Sequence, residues 1–288
     1  MFNEANRVIC DWLTASGTPG FAFSMVYAFV IGACFGSFAT ACIWRIPQGI
    51  SIVKPRSKCP RCGHMITAIE NIPMLSWLLL KGKCSGCGLP ISSKYFKTEL
   101  VMAILFTVTA AIRFHYQVPI AVIPAWIMIW IAVSSARTDL EKLIIPDKFT
   151  YTAMVLAVVY SFCFPAFTAF PGNGVRNIVL VYTVLSGVAT AVFGTAIVIS
   201  GKLIFGKDAF GWGDVKYMIA TAMFFNVFGM MFILASACIF SLVWFIFDRV
   251  RRGKFRRYFP FGPFLALGTI LWCIITIQKN GFVYWFWF

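Results

Sequence analysis

Charged residues are scarce in this sequence, and acidic residues are the scarcest of them. Only 12% of the 288 residues are charged, with 10 Asp or Glu against 25 Lys or Arg, while 60% are hydrophobic. This composition excludes an ordinary soluble globular domain. The apolar residues form continuous runs and do not alternate with polar ones, which excludes a membrane β-barrel. An all-α polytopic membrane protein is therefore predicted, because helices satisfy their own backbone hydrogen bonds in lipid.

Eight apolar runs approach or exceed the roughly 20 residues that span a bilayer. The second and sixth runs are short, and the sixth and seventh abut near Asn226, so seven spans is the main alternative to eight. Gly32, Gly36 and Ser37 in the first run predict close packing against another helix. The predicted spans are residues 21–44, 99–112, 118–136, 149–170, 178–200, 215–228, 229–247 and 261–277.

The basic residues predict how these spans are oriented. With eight spans, 21 of the 25 Lys and Arg fall in alternate connections, which places those connections in the cytoplasm and both termini outside. The basic strip 248–257 is expected to meet anionic lipid headgroups, with an acidic partner as the alternative, and nucleic acid is not expected. Residues 1–20 are polar and predict a periplasmic tail without a cleavable signal peptide. The cytoplasmic connections are residues 45–97, 137–148, 201–216 and 248–258.

Two Cys-x-x-Cys pairs lie in the first of these connections. Each pair is followed by glycine, and 21 residues separate the two pairs. Four thiolates at this spacing suit a tetrahedral zinc site, and the glycine relieves the tight turn around the metal. Disulfides or a redox pair are the alternatives, but a reducing cytoplasmic position favours zinc, which would supply much of the folding free energy of this small segment. The predicted ligands are Cys59, Cys62, Cys84 and Cys87.

Two polar residues beside the first Cys-x-x-Cys pair have two interpretations each. His64 is either a further zinc ligand or, since four thiols are available, an exposed side chain. Glu70 is either a solvated or capping residue or a group that binds a cation. Residues 70–80 are apolar but too few to span a bilayer, so they are predicted to lie along the membrane interface or against the bundle.

Two aspartates stand at the ends of predicted spans. Asp214 closes the sequence Gly211-Trp212-Gly213-Asp214 at the start of the sixth span, and Asp139 follows the third span. Ionisable residues at membrane depth are costly and are functional candidates by default. Asp139 has no evident structural role, because a negative charge after a helix opposes the helix dipole, whereas Asp147 is interpreted as the N-cap of the fourth span. If the two ends meet, Asp139 and Asp214 form a carboxylate pair at the membrane surface.

Several short motifs occur in an order that resembles one protein family. No single motif is specific, but together they extend from Gly36 to Pro263 and resemble the bacterial type IV prepilin peptidases, which are Gly-x-Gly-Asp intramembrane aspartyl proteases. Besides the two Cys-x-x-Cys pairs, the motifs are Gly36-Ser37-Phe38, Arg45-Ile46-Pro47, Asn71-Ile72-Pro73-Met74-Leu75-Ser76-Trp77, Asp139 with Ile145-Pro146-Asp147, Gly211-Trp212-Gly213-Asp214 and Phe261-Gly262-Pro263.

The resemblance implies a bifunctional enzyme of the bacterial inner membrane that serves type IV pili or type II secretion. It would remove the basic leader of prepilins or pseudopilins after a glycine on the cytoplasmic side. It would then N-methylate the new N-terminal residue with S-adenosylmethionine as methyl donor. By motif position the catalytic pair would be Asp139 and Asp214. No glycine-rich nucleotide motif follows a strand, so the residues that bind the methyl donor are not predicted.

The resemblance also implies a division of the chain into a methylation module and a peptidase domain. The zinc-binding segment 45–97 would be linked with methyl transfer, and residues 98–288 would form the peptidase domain. These follow the periplasmic tail, residues 1–20, and the first span, residues 21–44. Three further acids, Glu141, Asp147 and Asp208, are interpreted as structural or solvated charges that would also attract a basic leader.

Two other classes of protein are weighed against this interpretation. A transporter predicts acids near the middle of its spans and an internal repeat, whereas both aspartates here lie at span ends and no repeat is evident. An assembly protein of a secretion or pilus system would use the zinc module to bind a partner and the aspartates as helix caps. Such an assembly protein would not cleave a substrate, whereas a peptidase would. The sequence makes no prediction about oligomeric state.

Overall fold

The computed structural model confirms the all-α polytopic class. It describes residues 2–54, 56–116, 118–168, 175–206, 210–252, 260–279 and 282–285. In that part of the chain the helices are followed by one antiparallel hairpin of β1 (Thr276–Lys279) and β2 (Phe282–Trp285). The helices are α1 (Phe2–Arg45), α2 (Leu75–Leu79), α3 (Ser93–His115), α4 (Val122–Lys142), α5 (Asp147–Cys163), α6 (Arg176–Phe205), α7 (Trp212–Arg252) and α8 (Gly262–Ile275).

Each of the eight predicted spans coincides with a helical segment. Five helices are long and apolar enough to cross a membrane, namely α1, α3, α4, α6 and α7. The apolar helices α5 and α8 are shorter, with 17 and 14 residues. Several predicted bounds are corrected. The helix α5 ends at Cys163, short of the predicted residue 170. The helix α4 continues to Lys142 and so places Asp139 in its last turn, and α8 gives way to β1 at Thr276. The polar N-terminal segment is helical up to Gly17, where the backbone leaves the helical conformation.

The long helix α7 folds back on itself at Asn226, where φ is 61° and ψ is 178°. Tyr217, in the first half, hydrogen-bonds Thr269 of α8, while Ser236, in the second half, lies against the neighbouring Gly268. Nineteen residues of a straight helix would extend about 28 Å, so both contacts require two antiparallel halves. The division between the sixth and seventh predicted spans therefore falls at a real turn.

The central helix of the bundle is α4, which packs against α1, α3, α5 and α8. Within its apolar stretch 72% of the residues are buried, the largest share among the five long apolar helices. Next to α4, the helices α1 and α3 pack closely against each other. A Cβ at Gly32 or Gly36 of α1 would lie only 2.7 Å or 2.6 Å from the α3 backbone. The prediction of close packing at these small residues is confirmed.

Two ion pairs join helix ends at one end of the bundle, and these helix ends adjoin the predicted basic connections. Lys94 at the start of α3 pairs with Glu141 at the end of α4 at 2.9 Å. Lys216 near the start of α7 pairs with Asp147 at the start of α5 at 2.7 Å. At the opposite end Arg113 is buried and donates hydrogen bonds to the carbonyl oxygens of Ala121 and Thr276. The predicted basic side thus corresponds to one physical end of the molecule.

The turn in α7 provides a test of the span count. Asn226 has a backbone conformation that favours glycine, and its side-chain oxygen accepts the Gly229 N–H at 3.1 Å. We expect Asn226→Val to lower the stability by about 1–3 kcal/mol, because it loses this cap and adds strain at a β-branched residue. Asn226→Gly is the control, since it also loses the cap but relieves the strain. Thermal unfolding in detergent measures both, and equal melting temperatures for the two variants would contradict the proposed turn.

Candidate active site

The structure brings the side chains of Asp139 and Asp214 together. Asp139 lies in the last turn of α4 and Asp214 in the first turn of α7. The start of α8 joins the two, because Gly262 contacts the Asp139 carboxyl and the neighbouring Phe261 packs on Phe210, just before Gly211, at 5.7 Å. Both lie at the end of the bundle that carries the two lysine–carboxylate pairs, since Glu141 and Lys216 are each two residues away along the chain. The meeting of these two helix ends is what a carboxylate pair requires.

The carboxyl of Asp139 is held by the start of α8. Its side chain is buried, and Oδ2 accepts a hydrogen bond from the backbone N–H of Gly262 at 2.9 Å. A Cβ at residue 262 would lie 2.8 Å from that same oxygen. Glycine is therefore required at this position for steric reasons, and an N–H of the first turn of a helix is well suited to orient a carboxyl.

The two glycines before Asp214 permit close approach rather than an unusual backbone conformation. A Cβ at Gly211 would lie 2.9 Å from Oδ2 of Asp214. A Cβ at Gly213 would lie 3.1 Å from the Cβ of Ile145, in the connection between α4 and α5. Neither glycine has a positive φ. The sequence Gly211-Trp212-Gly213-Asp214 therefore lets the start of α7 lie directly against both its own carboxyl and the α4–α5 connection.

The other acids near the pair are engaged with cations. Asp147 is the first residue of α5 and not its N-cap, which is Pro146, so that prediction is corrected; its carboxylate pairs with Lys216. An acid in the first turn still suits the helix dipole. Glu141 pairs with Lys94 at 2.9 Å and lies 3.9 Å from Arg137. Asp208 lies outside the described residues, as do residues 253–257 of the basic strip.

A hydroxyl that the sequence analysis did not identify lies beside the pair. Ser135 precedes Asp139 by one helical turn, so both side chains lie on the same face of α4. Its Oγ is buried, and it has no hydrogen-bond partner among the residues that the structure describes. A buried hydroxyl without a partner costs about 1–3 kcal/mol, which favours the binding of a further polar group such as water there.

The four predicted zinc ligands converge. The Sγ atoms of the two Cys-x-x-Cys pairs all lie within 4.8 Å of one another, and those of Cys62 and Cys84 are 4.0 Å apart. Tetrahedral zinc with Zn–S bonds of about 2.3 Å would place sulfur atoms about 3.8 Å apart. All four cysteines are free thiols, so the disulfide alternative is not supported. The trailing glycines, Gly63 and Gly88, have φ of 74° and 70°, as the predicted tight turns require.

His64 and Glu70 connect the two cysteine pairs and are not part of the thiol cluster. His64 Nε2 lies 3.0 Å from the hydroxyl of Ser85 and 3.3 Å from the carboxylate of Glu70. Ser85 also donates a hydrogen bond to Glu70, which in turn accepts the Thr67 N–H at 2.8 Å. These hydrogen bonds, with that of Ser85 the strongest, lower the pKa of Glu70 to about 2. The capping interpretation of Glu70 is therefore the one that the geometry supports.

A buried acid, Glu99, joins this segment to the membrane helices. Only 7% of Glu99 is exposed, and its Oε2 accepts the Met74 N–H at 2.7 Å, where the Met74 backbone has φ of 59°. The backbone of Glu99 also packs against Gly36 of α1. Sequence analysis missed this role, although an acid at the start of an apolar run carries the same signal that identified Asp139 and Asp214.

These features define a multi-pass helical membrane protein with a carboxyl pair at adjoining helix ends and a four-thiol module after the first membrane helix. Residues 30–114 match the Bacterial Peptidase A24 N-terminal domain, and residues 126–246 match the Type IV leader peptidase family. The first match covers the thiol module, and the second covers both aspartates. The two matches therefore divide the chain between the two candidate sites.

Three curated relatives bear the name prepilin leader peptidase/N-methyltransferase. The protein of Dichelobacter nodosus is 34% identical over 76% of this chain and 71% of its own length. That of Bacillus subtilis is 32% identical over 84% of this chain and 91% of its own length, and that of Aeromonas hydrophila is 29% identical over 90% and 93%. No solved structure matches the chain. The chain belongs to the prepilin leader peptidase/N-methyltransferase family, and neither the transporter nor the non-catalytic alternative is favoured.

The buried contact of Glu99 leads to a stability prediction. Glu99→Ala leaves the Met74 N–H without its acceptor and opens a cavity between α1 and α3, so we expect stability to fall by about 2–4 kcal/mol. Glu141→Ala is the matched control, because it removes an exposed ion pair worth less than about 1 kcal/mol. Thermal unfolding in detergent measures both variants. A Glu99→Ala melting temperature no lower than that of the control would contradict this role.

Proposed function

We propose that this protein is an aspartyl endopeptidase that removes the basic leader of type IV prepilins or pseudopilins after a glycine. It would also methylate the new N-terminal residue. The observation that carries the first activity is the convergence of Asp139 and Asp214 from α4 and α7, with the N–H of Gly262 orienting the former. Family membership supports both activities.

The carboxyl pair supports hydrolysis by general acid and base catalysis. Two adjacent carboxylates do not both ionise at low cost, so the pair would share one proton and titrate as a unit. The ionised carboxylate would take a proton from water as the water attacks the scissile carbonyl carbon. The protonated carboxyl would polarise the carbonyl oxygen and later donate its proton to the leaving amine. A water bound at the hydroxyl of Ser135, one helical turn before Asp139, would be a candidate for this attacking water.

The proposed reaction takes place at the cytoplasmic face. The distribution of Lys and Arg in the sequence places the connections beside Asp139 and Asp214 on that side. A substrate with an apolar helix behind its leader would lie in the bilayer beside the bundle and present its cleavage site at this face. Asp214 is partly exposed, so its carboxyl would be accessible to such a substrate.

The thiol module is proposed to bind zinc and to support methyl transfer. Cys59, Cys62, Cys84 and Cys87 would hold the ion in a structural role, since four thiolates leave no open coordination position. The name of the relatives implies a methyl donor, and S-adenosylmethionine is the donor that we propose. Glu99 attaches this module to α3, and this contact would position residues 45–97 beside the peptidase domain.

The aspartates are tested by cleavage of a purified prepilin in detergent, read by mass spectrometry. We expect Asp139→Asn and Asp214→Asn each to lower the cleavage rate by at least about a hundredfold, because each removes one member of the acid–base pair. Asp147→Asn is the control, since it changes a neighbouring aspartate that pairs with Lys216. Either dyad variant cleaving at the wild-type rate would refute the catalytic assignment.

The zinc site is tested by metal analysis of the purified protein. We expect about one zinc ion per chain, and a large loss of zinc in Cys62→Ser, because three thiolates bind less tightly than four. Cys163→Ser, which changes a single cysteine of α5, should leave the metal content unchanged. Wild-type protein without zinc when purified in zinc-containing medium would count against the site. Equal zinc in both variants would show that the ion binds elsewhere.

A further inference from the structure

A large apolar groove runs along the bundle on the side away from the aspartates. Its volume is about 1050 Å³, and it lies between α1 and α5 above α4. Its floor is formed by Trp126, Ile127 and Trp130 of α4, and its walls by Phe38 of α1 and Leu156 of α5. The lining is thus mainly aromatic and aliphatic, and a slot of this kind is unfavourable for water.

The groove lies between α1 and α5, two helices that both pack against α4 but leave a gap between each other. α1 packs against α3 and α4, whereas α5 packs against α4, α6 and α7. Within the part of the chain that the structure describes, no further helix fills the space between them. The two indole N–H groups along the floor donate to backbone carbonyls, that of Trp130 to Phe35 and that of Trp126 to Phe106. Each ring stacks on a phenyl ring, that of Trp126 on Phe106 and that of Trp130 on Phe38, and both indoles also line the groove.

One end of the groove lies on the basic side of the bundle. A lysine and a hydrogen-bonded backbone segment line this opening. Residues 49–52 and Lys148 line it. Arg45 fixes this segment by donating to the carbonyl oxygens of Ser51 and Ile52 at 3.2 Å and 3.1 Å. Among the described residues no carboxylate forms an ion pair with Lys148, in contrast to Lys94 and Lys216. An exposed, unpaired ammonium at the mouth of an apolar slot complements an anionic headgroup whose chains enter the slot.

The direction of α4 argues against the substrate helix as the occupant. Trp130 points into the groove, and Asp139 follows it by nine residues. Nine residues at about 100° each turn the helix by two and a half turns, so the two side chains lie on opposite faces. An apolar helix seated in the groove would therefore be separated from the carboxyl pair by α4 itself.

We propose that this groove binds one anionic phospholipid, with its acyl chains along Trp126 and Trp130 and its phosphate at Lys148. The occupant is a membrane lipid that stays with the protein and fills the gap between α1 and α5. The site is distinct from the carboxyl pair, and the inference does not rest on the proposed peptidase activity.

The test is native mass spectrometry of the full chain in detergent with dioleoyl phosphatidylglycerol or dioleoyl phosphatidylethanolamine. We expect one retained phosphatidylglycerol, bound in preference to phosphatidylethanolamine. Lys148→Gln should reduce the phosphatidylglycerol affinity about fivefold and abolish the preference. Lys202→Gln is the matched control, since Lys202 is an exposed lysine at the end of α6 that does not line the groove.

A second pair of variants tests the groove without changing charge. Thr152→Trp places a ring in the open side of the groove and should displace the lipid, whereas Val155→Trp changes an exposed α5 residue outside the lining and should not. Equal binding of both lipids, or unchanged binding in Lys148→Gln and Thr152→Trp, would overturn the proposal. Displacement of the lipid by a prepilin would also overturn it, because the groove would then be a substrate site.

Discussion

Asp139 and Asp214 belong to different helices, and a carboxyl pair can form only where α4, α7 and α8 are held together at one end of the bundle. Sharing one proton would relieve the repulsion between the two carboxyls, while other contacts fix the helices that carry them. Gly262 at the start of α8 donates its N–H to Asp139, and the hydroxyls of Tyr217 and Thr269 join α7 to α8 below the pair. The site is thus a junction of three helices, and contacts elsewhere along these helices fix their positions.

The glycines at this junction are explained by contact distance. Residues 211, 213 and 262 each face an atom that a Cβ would approach within 2.8–3.1 Å. Gly32 and Gly36 play the same part between α1 and α3. Small residues thereby allow helix backbones and carboxyls to approach more closely than larger side chains permit, which is how membrane helices gain packing energy without a hydrophobic drive to associate.

The two modules of the chain are joined through one buried carboxylate. Glu99 belongs to α3, accepts the Met74 N–H of the thiol module and packs against α1. Two activities on one chain would benefit from such a fixed attachment, since a leaderless product must reach the methylation site. The groove lined by Trp126 and Trp130 lies on the opposite face of α4 from Asp139, so the central helix separates this groove from the carboxyl pair.

The class, the span pattern and the candidate residues could be predicted from the sequence alone, because hydropathy, charge bias and Cys-x-x-Cys spacing are local properties of the chain. The sequence also located the break near Asn226 and both aspartates. It could not show that Gly262 contacts Asp139, that Glu99 contacts Met74, that His64 faces Glu70 and Ser85, or that α1 and α5 leave a groove. These features are visible only in the folded protein, because most of them join separate elements of the chain, and all depend on how those elements pack and which way each side chain turns.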